Sequence, residues 1–336
     1  GASACPPSES RSACPPARLF PQERTMGKAA ANMKKGKIFF LSIKTFFLST
    51  SRAKGNKRIN NRNTIKKNIS LHGNKKKKLT LWQNTPSSMN SSDSIVVIPT
   101  YNEKENIENI IRAVFALEKT FHILVIEDGS PDGTADIVRH LQAEFPERLF
   151  MVERAGKQGL GTAYICGFRW GLEHGYDYIF EMDADFSHNP ADLPRLYSAC
   201  ADEGYDLAIG SRYVSGVNVV NWPMPRVLMS YYASRYVHFI TRIPVRDTTA
   251  GFKCYKRRVL ETIQLDKVRF KGYAFQIEMK YTTWKCGFRI KEVPVVFVNR
   301  ELGTSKMNSS IFGEAVFGVL RLRWDGWFRK YPKMKP

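Results

Sequence analysis

Tyr178-Ile179-Phe180-Glu181-Met182-Asp183-Ala184-Asp185-Phe186-Ser187-His188-Asn189-Pro190 joins an apolar run to two carboxylates, at i and i+2, in a polar turn closed by proline. Residues two apart share one face of an extended strand, and in a turn they can converge on one ion. Mg2+ and Mn2+ prefer oxygen ligands and usually take only one or two protein carboxylates, leaving the other positions to water and substrate phosphates. Asp183 and Asp185 therefore form a candidate site for a metal diphosphate. Alone, an Asp-x-Asp is more often a solvated turn, so its weight depends on its neighbours.

Upstream, Ser94-Ile95-Val96-Val97-Ile98 and His122-Ile123-Leu124-Val125-Ile126 are short β-branched runs, the pattern of strands buried on both faces. The first ends at Pro99-Thr100-Tyr101-Asn102 and leads into a helix from about Asn102, with Glu103 and Glu105 in its first turn. Glu127-Asp128-Gly129-Ser130-Pro131-Asp132-Gly133-Thr134 closes the second, before a helix to about Glu144. This alternation predicts an α/β fold with a parallel sheet and right-handed crossovers. Ligands of such sheets bind outside the carboxyl ends of the strands. The clusters at 99–103, 127–134 and 183–188 all leave such ends, so they are expected to share one crevice.

Downstream, Phe150-Met151-Val152 reads as a strand, and Gly156-Lys157-Gln158-Gly159-Leu160-Gly161-Thr162 opens a helix to about Glu173. Those glycines suit either a phosphate cradle or close packing of helix on sheet. A helix over 190–203 follows the acidic turn, and strand 207–209 delivers Arg212, a bidentate partner for a phosphate or for a carboxylate in the crevice. Pro225 to Ile243 forms an amphipathic helix, Asp247-Thr248-Thr249-Ala250-Gly251-Phe252 leads to a helix from about Arg257, and a helix around Phe275–Met279 puts Glu278 within reach of the crevice. Strand 289–298 ends in a basic loop, Asn299 to Lys306. From Ile311 to Phe328, Phe312, Val316, Val319, Leu320, Trp324 and Trp327 share one side, beside Arg321, Arg323, Arg329 and Lys330. Such a helix either lies in a membrane interface or packs on the domain. No apolar run reaches the length of a membrane span, so a peripheral protein without a transmembrane segment is expected.

The +21 formal charge sits mostly in residues 1–90, which hold 19 Lys+Arg against Glu9 and Glu23, whereas residues 91–336 hold 33 bases against 29 acids. A nucleic-acid binder would carry that charge on the folded part, so no nucleic-acid partner is expected there. Residues 1–90, rich in Lys, Asn and Ser, read as a disordered tail. A targeting peptide, an anionic-membrane contact or non-native upstream sequence would explain it, with Met89 placed as an alternative start. Cys166, Cys200, Cys254 and Cys286 are scattered singly, which predicts reduced, mostly buried thiols in a cytosol-facing protein.

Residues 94 to about 310 resemble the family-2 glycosyltransferases of the dolichol-phosphate mannose synthase type. The resemblance rests on Ile98-Pro99-Thr100-Tyr101-Asn102-Glu103, Asp128 to Thr134, Met182 to His188, Gly210-Ser211-Arg212-Tyr213, and Arg300 through Gly303 to Ser305-Lys306. It implies a GT-A (Rossmann-like) fold with a mixed, mostly parallel sheet and flanking helices. It also implies a GDP-mannose donor, a dolichyl or polyprenyl phosphate acceptor and inverting transfer to a β-linked lipid phosphomannose. By position, Pro99, Tyr101, Glu103, Ile126 and Asp128 would hold guanosine, and Asp183, Ala184 and Asp185 the metal and diphosphate. Arg212, Arg300 and Lys306 would handle the phosphates, and Asp185 would be the more essential metal ligand. Some relatives use Gln as a third ligand where Ser187 stands, which leaves that ligand open.

The implied organisation is a basic tail over 1–90, a GT-A catalytic domain over 91–310 and an amphipathic C-terminal interface helix over 311–336. The helices at 226–243 and 311–328 look like the family's interface helices, which implies a peripheral enzyme on the cytoplasmic face of a membrane, with a small membrane-anchoring partner. Three other readings remain: a polyprenyl-phosphate glucosyltransferase or related enzyme using a UDP-sugar, a non-catalytic nucleotide binder, and a nucleic-acid binder built on the tail.

Overall fold

The computed structural model describes residues 1, 92–272, 274–299 and 309–333, with the backbone alone over 309–316. The basic tail and the loop carrying Arg300 and Lys306 lie outside the described residues.

In chain order the elements are β1 (Ser94–Thr100), α1 (Ile107–Phe115), β2 (His122–Glu127), α2 (Thr134–Glu144), β3 (Leu149–Glu153), α3 (Leu160–Glu173) and β4 (Tyr178–Glu181). They continue with α4 (Leu193–Ala201), β5 (Leu207–Ser211), β6 (Val219–Val220), α5 (Met224–Thr241), β7 (Lys253–Lys256) and α6 (Arg257–Thr262). Last come α7 (Ala274–Lys285), β8 (Ile290–Pro294), β9 (Phe297–Val298) and α8 (Ser309–Phe328). Seven strands form one sheet in the order β3-β2-β1-β4-β7-β5-β8, and β6 pairs with β9 alone. Every neighbour in the large sheet is parallel except β7, which runs antiparallel between β4 and β5.

Alternating residues of β1 enter two separate cores. Ile95 and Val97 face α3 and α7, while Val96 and Ile98 face α1 and α4. Burial on both faces explains why these strands read as unbroken apolar runs. Helix α3 comes close to the sheet through glycine: a Cβ at Gly167 would stand 2.4 Å from Val97 Cγ1, and one at Gly171 would stand 3.0 Å from Ile179 Cδ1.

Three elements differ from the sequence expectation. Strand β7, Lys253-Cys254-Tyr255-Lys256, has no apolar run to announce it and forms because it can pair with β4 and β5 together. Helix α1 begins at Ile107 rather than near Asn102, which takes a left-handed φ of 54°. The expected strand 289–298 divides at Pro294 into β8 and β9, since proline cannot donate to a ladder. Cys200, Cys254 and Cys286 are buried free thiols and Cys166 is a half-buried one.

Helix α8 has apolar groups on two sides. Val319 and Leu322 are buried, whereas Phe317, Leu320, Trp324, Trp327 and Phe328 are exposed. Its neighbour α5 buries Val237 and exposes Met224, Leu228, Met229 and Phe239. The reading that the last helix packs on the domain describes its buried face. Among the described residues no helix is long and apolar enough to cross a membrane.

His122 is buried in β2 with Nδ1 2.7 Å from the Tyr176 hydroxyl. Burial, and then the positive charge of Arg148, push its imidazole pKa down to about 4. The unfolded chain, with an ordinary pKa of about 6.5, takes up a proton that the folded chain refuses. Stability should therefore fall as pH drops from about 6.5 to about 4, by about 3 kcal/mol from this group. Urea midpoints across that range should follow this slope in the wild type and flatten in His122→Gln; equal slopes would contradict it.

Candidate active site

Parallel register places the strand tips together. Thr100 pairs with Glu127 and Val97 with Glu181, and the Met182 N–H still bonds to the Val97 carbonyl at 3.2 Å. Thr100, Asp128 and Asp183 thus leave the sheet along one edge. Strand β5 ends at the same edge and delivers Arg212, and antiparallel β7 begins there, so the segment 247–252 joins the rim.

On the β1–β2 side, side chains lace two loops together. The backbone N–H groups of Asn102, Glu103 and Lys104 donate to Ser130 Oγ, Thr134 Oγ1 and Asp132 Oδ2 at 3.0–3.1 Å. Glu127 accepts the N–H groups of Gly129 and Ser130, both at 2.8 Å. Asp128 takes a two-pronged bond from Arg154 at 2.6 and 2.7 Å, and Arg154 also donates to Thr162 Oγ1 at 2.9 Å. Pro99 pairs in register with fully buried Ile126, Glu103 is half-buried, and Lys157 Nζ lies 4.9 Å from the Tyr101 ring centroid. At the glycine-rich helix entry, the Gly161 N–H donates to the Lys271 carbonyl at 2.8 Å, and a Cβ there would stand 2.8 Å from the Phe275 ring. Close packing therefore accounts for Gly161, with its N–H already bonded.

The acidic turn is closed on itself. Asp183 Oδ1 accepts the Tyr164 hydroxyl at 3.0 Å, and the Asp183 N–H donates to His188 Nδ1 at 3.1 Å. Asp185 Oδ1 accepts the Ser187 N–H at 3.1 Å, across Phe186 at a left-handed φ of 57°. Burial, and then the Asp183 charge, hold the Tyr164 hydroxyl well above its usual pKa, so it stays protonated as a donor. Asp183 is half-buried at the rim, whereas Ala184 and Asp185 are buried. Among the described residues no group of three His, Cys, Asp or Glu converges on one point. Two carboxylates are nevertheless the usual protein contribution to Mg2+ or Mn2+ bound with phosphates, so the residues present fit such an ion.

A chain of contacts runs from this turn to Arg212. The His188 ring stacks on Phe252 with centroids 4.9 Å apart and meets Phe297 edge-on at 5.5 Å, and the Arg212 guanidinium lies 5.4 Å from that same Phe297 ring. Arg212 donates to Asp247 twice through its guanidinium at 2.7 Å and once through its backbone N–H at 2.9 Å, and to Thr249 Oγ1 at 2.8 Å. Of its two expected partners, the one in this structure is a carboxylate. Burial opposes ionisation of Asp247, yet Arg212 holds its carboxyl below the usual range.

Beneath the rim lie charges that sequence reasoning missed. Lys253 Nζ stands 3.0 Å from Glu181 Oε1 and donates to Gln276 Oε1, and Gln276 Nε2 donates to Glu181 Oε2 at 2.8 Å. Lys280 donates to the carbonyls of Thr248 at 3.0 Å and Ala250 at 2.6 Å, and burial pushes its pKa well down. The available signal was that each lysine has apolar immediate neighbours, Phe252 and Cys254 for Lys253, Met279 and Tyr281 for Lys280. Glu278 does not reach the crevice. Its Oε2 accepts the N–H groups of Arg269 at 2.9 Å and Phe270 at 3.1 Å, because the helix turns Gln276 toward β4 instead.

The model of Glycosyl transferase family 2 matches residues 95–264. The chain belongs to this family. It is 48% identical over 226 residues to the polyprenol monophosphomannose synthase of Mycolicibacterium smegmatis, covering 67% of this chain and 85% of that protein. It is 45% identical over 236 residues to the undecaprenyl-phosphate mannosyltransferase of Micrococcus luteus, covering 69% of this chain and 96% of that protein. Among solved structures, glucosyl-3-phosphoglycerate synthase from Mycobacterium tuberculosis, in complex with Mn2+, UDP and glucosyl-3-phosphoglycerate, superposes with a TM-score of 0.50. That match is 18% identical and covers 68% of this chain and 79% of the other. The chain is thus a glycosyltransferase with a GT-A-like, mixed and mostly parallel sheet.

Removing either partner of the Arg212–Asp247 pair strands a buried charge. Asp247→Ala and Arg212→Met should each cost about 3–5 kcal/mol. The double variant should cost clearly less than their sum. Urea unfolding of the four proteins checks this, and additive costs would contradict it.

Proposed function

We propose that this glycosyltransferase moves mannose from GDP-mannose to dolichyl or another polyprenyl phosphate, with inversion, giving a β-linked lipid phosphomannose and GDP. The observation that carries the reading is the meeting of Asp183 and Asp185 with three other strand tips on one rim. The names of the two relatives at 45% and 48% identity support the acceptor and the sugar.

In this reading Pro99, Tyr101, Glu103, Ile126 and Asp128 hold guanosine, and Asp183, Ala184 and Asp185 hold the diphosphate end of the donor. Asp183 and Asp185 would ligate Mg2+ or Mn2+, which when bound supplies positive charge to the leaving diphosphate. Arg212 supports the phosphates from its seat on Asp247. Arg300 and Lys306, outside the described residues, would do the same from their loop. A phosphate oxygen of the lipid forms the new bond to the anomeric carbon. The bond from that carbon to the diphosphate breaks, and GDP leaves with the electron pair. The acceptor phosphate is already anionic near neutral pH, so a strong general base is not required. Holding the two phosphates in line on either side of the sugar does most of the work.

The catalytic unit spans 91–310, and the tail over 1–90 and the helix over 311–336 lie outside it. Lipid substrate and the exposed apolar faces of α5 and α8, set beside Arg226, Arg235, Arg242, Arg323 and Lys330, support a peripheral position on a membrane surface. We place the enzyme on the cytoplasmic face, where a small membrane-anchoring partner would hold it.

The full chain, incubated with labelled GDP-mannose, Mg2+ or Mn2+ and a short polyprenyl phosphate, should yield mannolipid, and excess UDP-glucose should not compete. Asp185→Ala should lose about a hundredfold or more of the rate. Full transfer by that variant with the metal chelated, or preference for UDP-glucose, would overturn the proposal.

A further inference from the structure

We infer that His188 is a positioning residue that sets the Asp183–Asp185 turn in its cation-binding shape before any ligand arrives. The inference rests on the metal site proposed above.

The ladder between β1 and β4 ends with the Met182 N–H, so the next amide, that of Asp183, has no strand partner. His188 Nδ1 accepts it at 3.1 Å, five residues further along. An accepting Nδ1 must carry its lone pair, which places the ring hydrogen of a neutral imidazole on Nε2. The turn between the two residues is not at rest by itself. Phe186 sits at a φ of 57°, an uncommon and costly conformation for a large side chain. Two bonds hold the backbone there: Asp183 N–H to His188, and Ser187 N–H to Asp185 Oδ1. The second uses one oxygen of a proposed metal ligand, so the first is the one that leaves both carboxylates undisturbed.

The acceptor is itself fixed. Phe252 stacks on one face of the imidazole with an interplanar angle of 11°, and Phe297 meets it edge-on at 82°. Gly251 lies alongside: a Cβ there would be at ordinary contact distance, 3.5 Å from His188 Cε1 and 3.9 Å from Asp183 Oδ2. The plainer reading makes His188 an aromatic filler between two phenylalanines. A filler needs a ring, whereas the Asp183 amide needs an acceptor, and two substitutions separate them. His188→Phe keeps a ring and removes the acceptor. His188→Asn removes the ring and keeps an oxygen near the place of Nδ1.

Mn2+ binding, read by electron paramagnetic resonance of the free ion with GDP present, tests the inference without turnover. His188→Phe should bind Mn2+ about tenfold more weakly or worse, the usual loss when a group behind a metal ligand is removed. His188→Asn should stay within about threefold of the wild type, above the loss expected for a missing ligand support. GDP binding in chelator and far-UV circular dichroism should be unchanged in both. His188→Phe at wild-type Mn2+ affinity, or His188→Asn as weak as His188→Phe, would overturn the inference. Asp185→Ala tells the two layers apart. If it binds Mn2+ as the wild type does, the metal site and the role of His188 fall together; if it loses the ion while His188→Phe keeps it, only the role of His188 falls.

Discussion

Parallel pairing of β1, β2 and β4 is the constraint on which the rest of the molecule depends. It brings three chain exits to one edge, where ladder bonding stops and backbone amides must find other acceptors. The side chains at that edge answer this need. Ser130, Thr134 and Asp132 take the amides of 102–104, Glu127 takes those of its own turn, and Asp247 takes that of Arg212. Residues of the polar clusters that flank the expected ligand set are thus the caps that shape this edge. A rim built in this way is preorganised, which is the property that electrostatic catalysis requires.

The buried charges below the rim follow from the one strand that runs the other way. Inserting β7 between β4 and β5 carries Lys253 under Glu181 and leads in from the segment that holds Asp247. Five fully or nearly buried ionic groups gather there, Glu181 and Asp247 against Lys253, Lys280 and Arg212. Burying an ion costs several kcal/mol, and pairing rarely returns more than that, so a network of this kind is poor evidence for stability. Its value lies in orientation, since each member holds a strand end or a rim segment in place. Lys280, by holding the carbonyls of Thr248 and Ala250, fixes the segment that carries both Asp247 and Gly251.

The β1 and β2 runs, the shared carboxyl-end edge and the Asp183–Asp185 turn were legible because each follows from a local pattern: a β-branched run, a turn, a spacing of two. Strand β7 was not, since Lys253-Cys254-Tyr255-Lys256 becomes a strand only when two others flank it. The partner of Arg212 lies 35 residues away and that of Glu181 lies 72 or more away, and no local pattern encodes such distances. Glu278 misled for a related reason: helical spacing places it near Gln276 without saying which of the two faces β4. The roles of Arg300 and Lys306 rest on motif resemblance alone, because their loop lies outside the described residues.

The most direct measurement is a crystal structure of the chain with GDP-mannose and Mg2+. The account predicts a cation held by Asp183 and Asp185 together with the diphosphate, and the guanosine between the Tyr101 and Asp128 loops. A donor bound away from this rim, or a cation with no oxygen from Asp183 or Asp185, would contradict it.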